Sequence, residues 1–202
     1  MSVNQQKEGA GILSVAGVLL AGGRSLRMGI DKALLRAGGV ELWRRQRDLL
    51  RWVCGGNVWV SARVRPDWLP EGGLWIADAC DAGPMGGVVT ALGEVEEGCA
   101  LVLALDLPFV SEAFLEEIVR RLEPGMGVVP RRGGMFEPLV AAYPKEALAS
   151  GLARLGSGEF GLQKWIVELE SLGLMKIFDV DTKWDAVFFN ANTPEDWEKV
   201  AE

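Results

Sequence analysis

The sequence predicts an α/β fold, a doubly wound, three-layer α/β/α Rossmann-like arrangement on a mostly parallel sheet with an antiparallel edge element, and two observations carry that reading. Short apolar runs alternate with amphipathic stretches at the spacing of βαβ units. Residues 15–20 and 100–105 are continuously apolar or glycine, the pattern of strands covered on both faces. With 202 residues, 49% of them apolar, the chain can bury one sizeable core. We expect a loose polar leader over residues 1–12 and a single domain over 13–202.

Taken in order, residues 15–20 form a central strand that empties into Gly22 and Gly23. Between Glu41 and Val53, the positions Leu42, Trp43, Leu49, Leu50 and Val53 fall near helical spacing, and 58–60 follows as a strand. Residues 74–77 read as a strand and 86–92 as a helix, while 100–105 is the clearest buried strand. Ser111 is an N-cap for a helix over 112–122. After Pro130, the run Arg131-Arg132-Gly133-Gly134 reads as a turn, and 136–143 as a strand pairing antiparallel at the sheet edge. Pro144 opens a helix to about residue 155, a further helix covers 162–172, and strand-like pieces at 175–180 and 186–189 precede a last helix from Thr193.

Composition narrows the chemistry. A net charge of −7 and a pI near 4.8 give no global attraction to nucleic acid or to an anionic membrane, so positive charge matters where it clusters, at Arg24, Arg27 and Lys32. The chain has no histidine, which removes Ser-His and Cys-His nucleophilic chemistry and the commonest transition-metal ligand. Cys54, Cys80 and Cys99 are odd in number and lie in apolar surroundings, as reduced core thiols do. The apolar run 12–21 is too short to span a bilayer and follows Lys7 and Glu8 rather than a positive excess, so a cytoplasmic protein is expected. The eight tryptophans read as packing residues.

The segment Leu20-Ala21-Gly22-Gly23-Arg24-Ser25-Leu26-Arg27-Met28-Gly29-Ile30-Asp31-Lys32 can wrap a polyphosphate in backbone amides and neutralise it with Arg27 and Lys32. Gly29 is followed by Ile30-Asp31-Lys32 rather than Lys-Ser or Lys-Thr, so this is not a Walker A loop. A G-x-G-x-x-G at residues 156–161 follows a helical segment instead of a strand and reads as an interhelical loop. Asp106 ends the strongest strand, where ligands of open α/β sheets bind and a carboxylate can hold Mg2+ against phosphate oxygens; a turn Asp ahead of Pro108 would look the same.

The loop resembles that of nucleotidyltransferases carrying L-A-G-G-x-S-x-R-M-G-x-D-K. Further segments come in the family's order: Asp78 with Gly83-Pro84-Met85-Gly86-Gly87, then Ala104-Leu105-Asp106-Leu107-Pro108-Phe109, Phe136-Glu137-Pro138-Leu139, and Asn190-Ala191-Asn192-Thr193-Pro194. The set is most similar to the molybdenum cofactor guanylyltransferases, which join GMP to molybdopterin. That resemblance implies a nucleotidyltransferase fold, GTP and molybdopterin or molybdenum cofactor as substrates, Mg2+ as cofactor, and proteins that deliver or accept the cofactor.

Carried over residue by residue, the resemblance puts Leu20, Ala21, Gly22 and Gly23 around the triphosphate and makes Asp106 the metal ligand. Arg27 and Lys32 offset charge as pyrophosphate leaves. Asp78 holds the base or ribose, with Asp81 the alternative three residues on. Ser61 stands where relatives often carry an Asn that contacts the base, and a hydroxyl cannot copy a carboxamide's paired bonds. Gly83, Gly86, Asn190 and Asn192 fall on the acceptor side, although helix-start chemistry explains all four as well. Arg24, at a variable position of the loop, reads as a solvated cation. Transfer of CMP to molybdopterin, of a nucleotide to a sugar phosphate, or nucleotide binding without turnover stay open as alternatives.

Overall fold

The protein is described by a computed structural model that covers residues 14–22, 31–78, 81–191 and 193–201. The sites assigned to Gly23, Arg27 and Asn192, the solvated reading of Arg24, the thiol of Cys80 and the leader lie outside the described residues.

Strand β1 (Val15–Leu20) is buried along its whole length, and everything near the site is ordered around it. A 3-10 turn over Lys32–Leu34 and a small hairpin, β2 (Arg36–Ala37) and β3 (Val40–Glu41), lead into helix α1 (Leu42–Cys54). There follow β4 (Val58–Ala62), β5 (Trp75–Ala77), α2 (Gly83–Glu94), β6 (Cys99–Ala104) and α3 (Glu112–Val119). The second half comprises β7 (Gly127–Arg132), β8 (Met135–Phe136), β9 (Val140–Pro144), α4 (Leu148–Gly156), α5 (Leu162–Ser171), β10 (Met175–Asp179) and α6 (Pro194–Ala201).

The main sheet has the order β10-β7-β9-β6-β1-β4-β5, with β8 paired to β7. β1 runs parallel to both β6 and β4, and β4 to β5. Alternation then divides the core: Val15 and Leu19 of β1 join Leu101 and Leu103 of β6 beneath α1, α3 and α6, whereas Ala16, Val18 and Leu20 join Ala100 and Val102 beneath α2 and α5. The result is the expected three-layer α/β/α fold on a mostly parallel sheet. Among the described residues, no helix is long and apolar enough to cross a membrane.

Three local expectations are corrected. Residues 136–143 are not one edge strand: Pro138 interrupts the ladder, β8 stays as a two-residue peripheral piece, and β9 is inserted antiparallel between β6 and β7. The unbroken apolar run Val140–Tyr143, buried on both faces, is why it belongs inside the sheet. The strand β7 escapes a reading that takes Pro130 as punctuation; Pro130 lacks only the N–H, and its carbonyl still pairs, accepting from Glu137 N–H at 2.8 Å. Residues 186–189 are not a strand, since Thr182–Phe188 winds as a 3-10 helix capped by the Asp181 carboxylate. Of the turn expected over residues 131–134, only Gly133-Gly134 turns, with φ of +54° and +83° joining β7 to β8, whereas Arg131 and Arg132 end strand β7.

Cys54 and Cys99 are buried, and burial pushes the Cys54 thiol up to about 12 and Cys99 higher still. They are packing residues. Gly127 begins β7 in a gap that no side chain fits: a Cβ there would lie 2.3 Å from the Ala142 carbonyl oxygen and 2.7 Å from Pro144 Cδ. Gly127→Ala is expected to destabilise the protein by about 1–3 kcal/mol, whereas Gly93→Ala in α2, where a Cβ meets nothing within 4 Å, is expected to stabilise by about 0.5–1 kcal/mol. Urea titration of the two variants beside the parent checks both signs.

Candidate functional site

Parallel pairing sets Leu20 beside both Ser61 of β4 and Ala104 of β6. The carboxyl ends of these strands therefore open at one edge, the place where ligands bind in open α/β sheets. The Leu20 carbonyl accepts from Leu105 N–H at 3.1 Å, and Ala21 N–H donates to the Ser61 carbonyl at 2.9 Å. Leu20 has a buried side chain, so it presents only backbone to this edge, while Gly22 is exposed.

Lys32 re-enters on its 3-10 turn, which Asp31 caps through a carboxylate oxygen 3.0 Å from Ala33 N–H. The other Asp31 oxygen accepts from the Trp68 indole at 2.9 Å, and Trp68 stacks on Trp43 with centroids 5.0 Å apart. Asp31, which the sequence reading left without a role, thus ties the start of this turn to the loop between β4 and β5. An acidic residue directly before a short helical turn is the signal for it.

Lys32 Nζ donates to the Ala191 carbonyl at 3.0 Å, and Ala191 N–H donates to the Asp106 carbonyl at 3.1 Å. One buried peptide segment consequently joins residues 32, 106 and 191. Asp106 keeps its carboxylate out of these bonds and is partly exposed, while its neighbour on this junction, Asn190, is exposed. Behind Asp106, Phe109 and Phe189 pack with centroids 5.4 Å apart.

On the other side of β1, a Cβ at Gly22 would lie 3.8 Å from Asp78 Oδ2, and one at Gly87 would lie 3.6 Å from the same oxygen. Asp78 is therefore lodged between the start of the glycine loop and the first turns of α2. Asp81 instead points to the surface and pairs with Arg63 at 2.5 Å. Ser61 is only 1% exposed; its Oγ is 3.2 Å from where a Gly87 Cβ would be and has no hydrogen-bond partner among the described residues. Gly83 opens α2 with φ +60°, a conformation that favours glycine, and Gly86 is buried one turn on.

Glu137 is a further residue to which the sequence reading gave no role. It lies in the connection from β8 to β9, and two residues later the Leu139 carbonyl accepts from Ala104 N–H at 2.7 Å, at the carboxyl end of β6. Burial pushes its carboxyl above the usual glutamate range, with the Arg132 guanidinium 3.2 Å away offsetting part of the effect. Among the described residues there is no cluster of three His, Cys, Asp or Glu side chains able to hold a metal alone. A half-exposed single carboxylate such as Asp106 fits instead a hard cation shared with phosphate oxygens, the usual manner of Mg2+.

Comparison with known proteins identifies the family. The family model described as a MobA-like NTP transferase domain matches residues 17–172. A relative from Opitutus terrae, named "Probable molybdenum cofactor guanylyltransferase", is 35% identical over 192 residues, covering 91% of this chain and 93% of the relative. Among solved structures, molybdopterin-guanine dinucleotide biosynthesis protein A from Archaeoglobus fulgidus is similar with a TM-score of 0.69 at 24% identity, covering 92% of this chain and 96% of that one. The 2-C-methyl-D-erythritol 4-phosphate cytidylyltransferase from Thermus thermophilus gives 0.65 at 15% identity, covering 91% and 96%. At these identities the two structures speak for the fold alone.

The Glu137 environment generates a pH prediction. Because its folded pKa is raised, the folded chain holds this proton over an interval where the unfolded chain has released it, and stability falls as pH rises through that interval. The difference in unfolding free energy between the parent and Glu137→Gln should therefore shrink from the ordinary glutamate value of about 4.3 upward and level off above the raised pKa. Denaturant titrations at a series of pH values check the slope, and a difference that grows with pH would contradict it.

Proposed function

The chain belongs to the MobA-like NTP transferase domain family and is a nucleotidyltransferase; on that premise we propose that it transfers GMP from GTP to the terminal phosphate of molybdopterin, releasing pyrophosphate, with Mg2+ as cofactor. The relative from Opitutus terrae, whose name carries guanylyl transfer to the molybdenum cofactor and which aligns along nearly the whole chain, supports the choice of substrates. The junction at Ala191 is the single observation that most supports the chemistry, because it gathers a cation, a carboxylate and the asparagine segment from three distant parts of the sequence.

In this reading, a phosphate oxygen of the acceptor forms a bond to the α-phosphorus of GTP as the bond from that phosphorus to the bridging oxygen of pyrophosphate breaks. The nucleophile is already ionised at neutral pH, so no general base is required, and the lack of histidine is no handicap. Amides of the loop from Leu20 to Gly23 hold the triphosphate, and Lys32 with Arg27 offsets the charge that moves onto the leaving group. Mg2+ held by Asp106 would neutralise phosphate charge and align the oxygens. Asp78 orients the base or ribose from its place beside Gly22, with Ser61 behind it. Gly83, Gly86, Asn190 and Asn192 face the acceptor. Such an enzyme works in the cytoplasm, where its nucleotide is found.

Two measurements test the reading. Pyrophosphate release assayed with molybdopterin and each of GTP, CTP, ATP and UTP should be fastest with GTP; a preference for CTP would reassign the base. Asp106→Ala should lower kcat by about a hundredfold or more without unfolding the chain, since the junction uses the Asp106 backbone carbonyl and not its carboxylate. Full Mg2+-dependent turnover by that variant would remove Asp106 from the centre of the mechanism.

A further inference from the structure

Helix α1 carries a polar residue where its pattern calls for an apolar one. Gln46 stands four residues after Leu42 and four before Leu50, on the stripe that also bears Trp43 and Val53, and it is 0% exposed. Its Nε2 donates to the Leu107 carbonyl at 2.6 Å, whereas its Oε1 is buried without a hydrogen-bond partner among the described residues. A buried amide with one unmet acceptor costs stability relative to a hydrocarbon of the same size. The residue is therefore not explained by packing.

What Gln46 touches is the turn that follows Asp106. Val110 N–H donates to the Leu107 carbonyl at 3.3 Å, closing the turn on itself, and Arg45 Nη1 donates to the Val110 carbonyl at 3.2 Å. Neighbouring side chains of α1 thus hold the carbonyls at both ends of the Leu107–Val110 turn. At its start the same helix is tied to the Lys32 segment, because Leu42 N–H donates to the Leu35 carbonyl at 2.8 Å, one residue past the 3-10 turn that bears Lys32. Helix α1 is a rigid bar between the segment that carries the cation and the turn that carries the carboxylate.

We infer that Gln46 is a positioning residue for nucleotidyl transfer: through Leu107, and with Arg45 at Val110, it fixes Asp106 relative to Lys32. The inference rests on the role proposed for Asp106. Positioning groups act on the rate of the chemical step more than on ground-state binding, and a displacement of about 1 Å can cost about a hundredfold in rate.

The test is Gln46→Met, which keeps the length and removes the donor. Expected are a fall in kcat of about ten- to a hundredfold, a KM for GTP within about threefold of the parent, and a melting temperature within about 4 °C. Hydrogen exchange of the amides at Leu107, Phe109 and Val110 should speed by about tenfold while α5 amides do not change. An unchanged kcat with a lower melting temperature would make Gln46 a merely structural residue and overturn the inference. Should Gln46→Met fail to fold, Arg45→Met at the half-exposed neighbouring position is read the same way, and an unchanged kcat there overturns it. If the parent releases no pyrophosphate with any of the four triphosphates, the activity reading fails by itself. Exchange at the turn in Gln46→Met then still decides, unchanged protection counting against the brace.

Discussion

Strand β1 is buried on both faces and paired in parallel on both edges, and its register is the constraint from which the site follows. A slip of one residue would exchange the residues facing α1 for those facing α2, and the two sets are not interchangeable. Gly17 shows why: a Cβ there would lie 3.0 Å from Leu50 Cβ and 3.2 Å from Val58 Cγ2, so the missing side chain lets α1 lie this close to the strand. With the register fixed, Leu20 must stand between Ser61 and Ala104. The chain then leaves β1 beside the carboxyl ends of β4 and β6, with Asp106 just past β6 and Asp78 just past β5, the parallel neighbour of β4.

Register alone does not bring in the last segment. Ala191 is held by its N–H to Asp106 and by its carbonyl to Lys32, and each such bond contributes about 1 kcal/mol net, with a larger cost if a buried partner is left unmet. Those bonds persist because Phe188, Ala191, Trp197 and Val200 are packed in the core on the α1 side. Apolar burial anchors the C-terminal segment, and hydrogen bonds set where its peptide groups point. The same division appears in α1, whose apolar stripe fixes the helix while Gln46 and Arg45 fix the turn it faces.

The parts of the fold that could be read in the sequence are those whose patterns are local. β1, β6 and the helices α1 and α3 follow from apolar runs, helical spacing and the Ser111 cap, which accepts from Phe114 N–H. β7 and β9 do not, because strand order is a property of the assembled sheet and Pro130 disguises a strand whose carbonyl does the pairing. In the site, Lys32 and Asp106 stand out by residue type within motifs, but their meeting at Ala191 is long-range. Asp78 is preferred to Asp81 in the sequence because it lies closest to the strand end, and the fold packs Asp78 near Gly22 and Gly87 while Asp81 pairs with Arg63 at the surface. Gln46 left a trace, a polar residue at a buried helical position, which spacing alone can flag and only Leu107 explains.

An acidic chain that handles polyphosphate must concentrate its positive potential locally. With net charge −7, a mobile lysine would spend its time near surface carboxylates, and the field at the sheet edge would be diffuse. Here Lys32 donates to the Ala191 carbonyl, which orients the ammonium at the sheet edge, while the exposed cations Arg63 and Arg131 pair with Asp81 and Asp179. Asp106 is treated likewise, its backbone held and its carboxylate left outside those bonds. Charged groups whose positions are set by backbone hydrogen bonds need little reorganisation when phosphate charge shifts between oxygens, which is the condition under which electrostatic stabilisation lowers a barrier most.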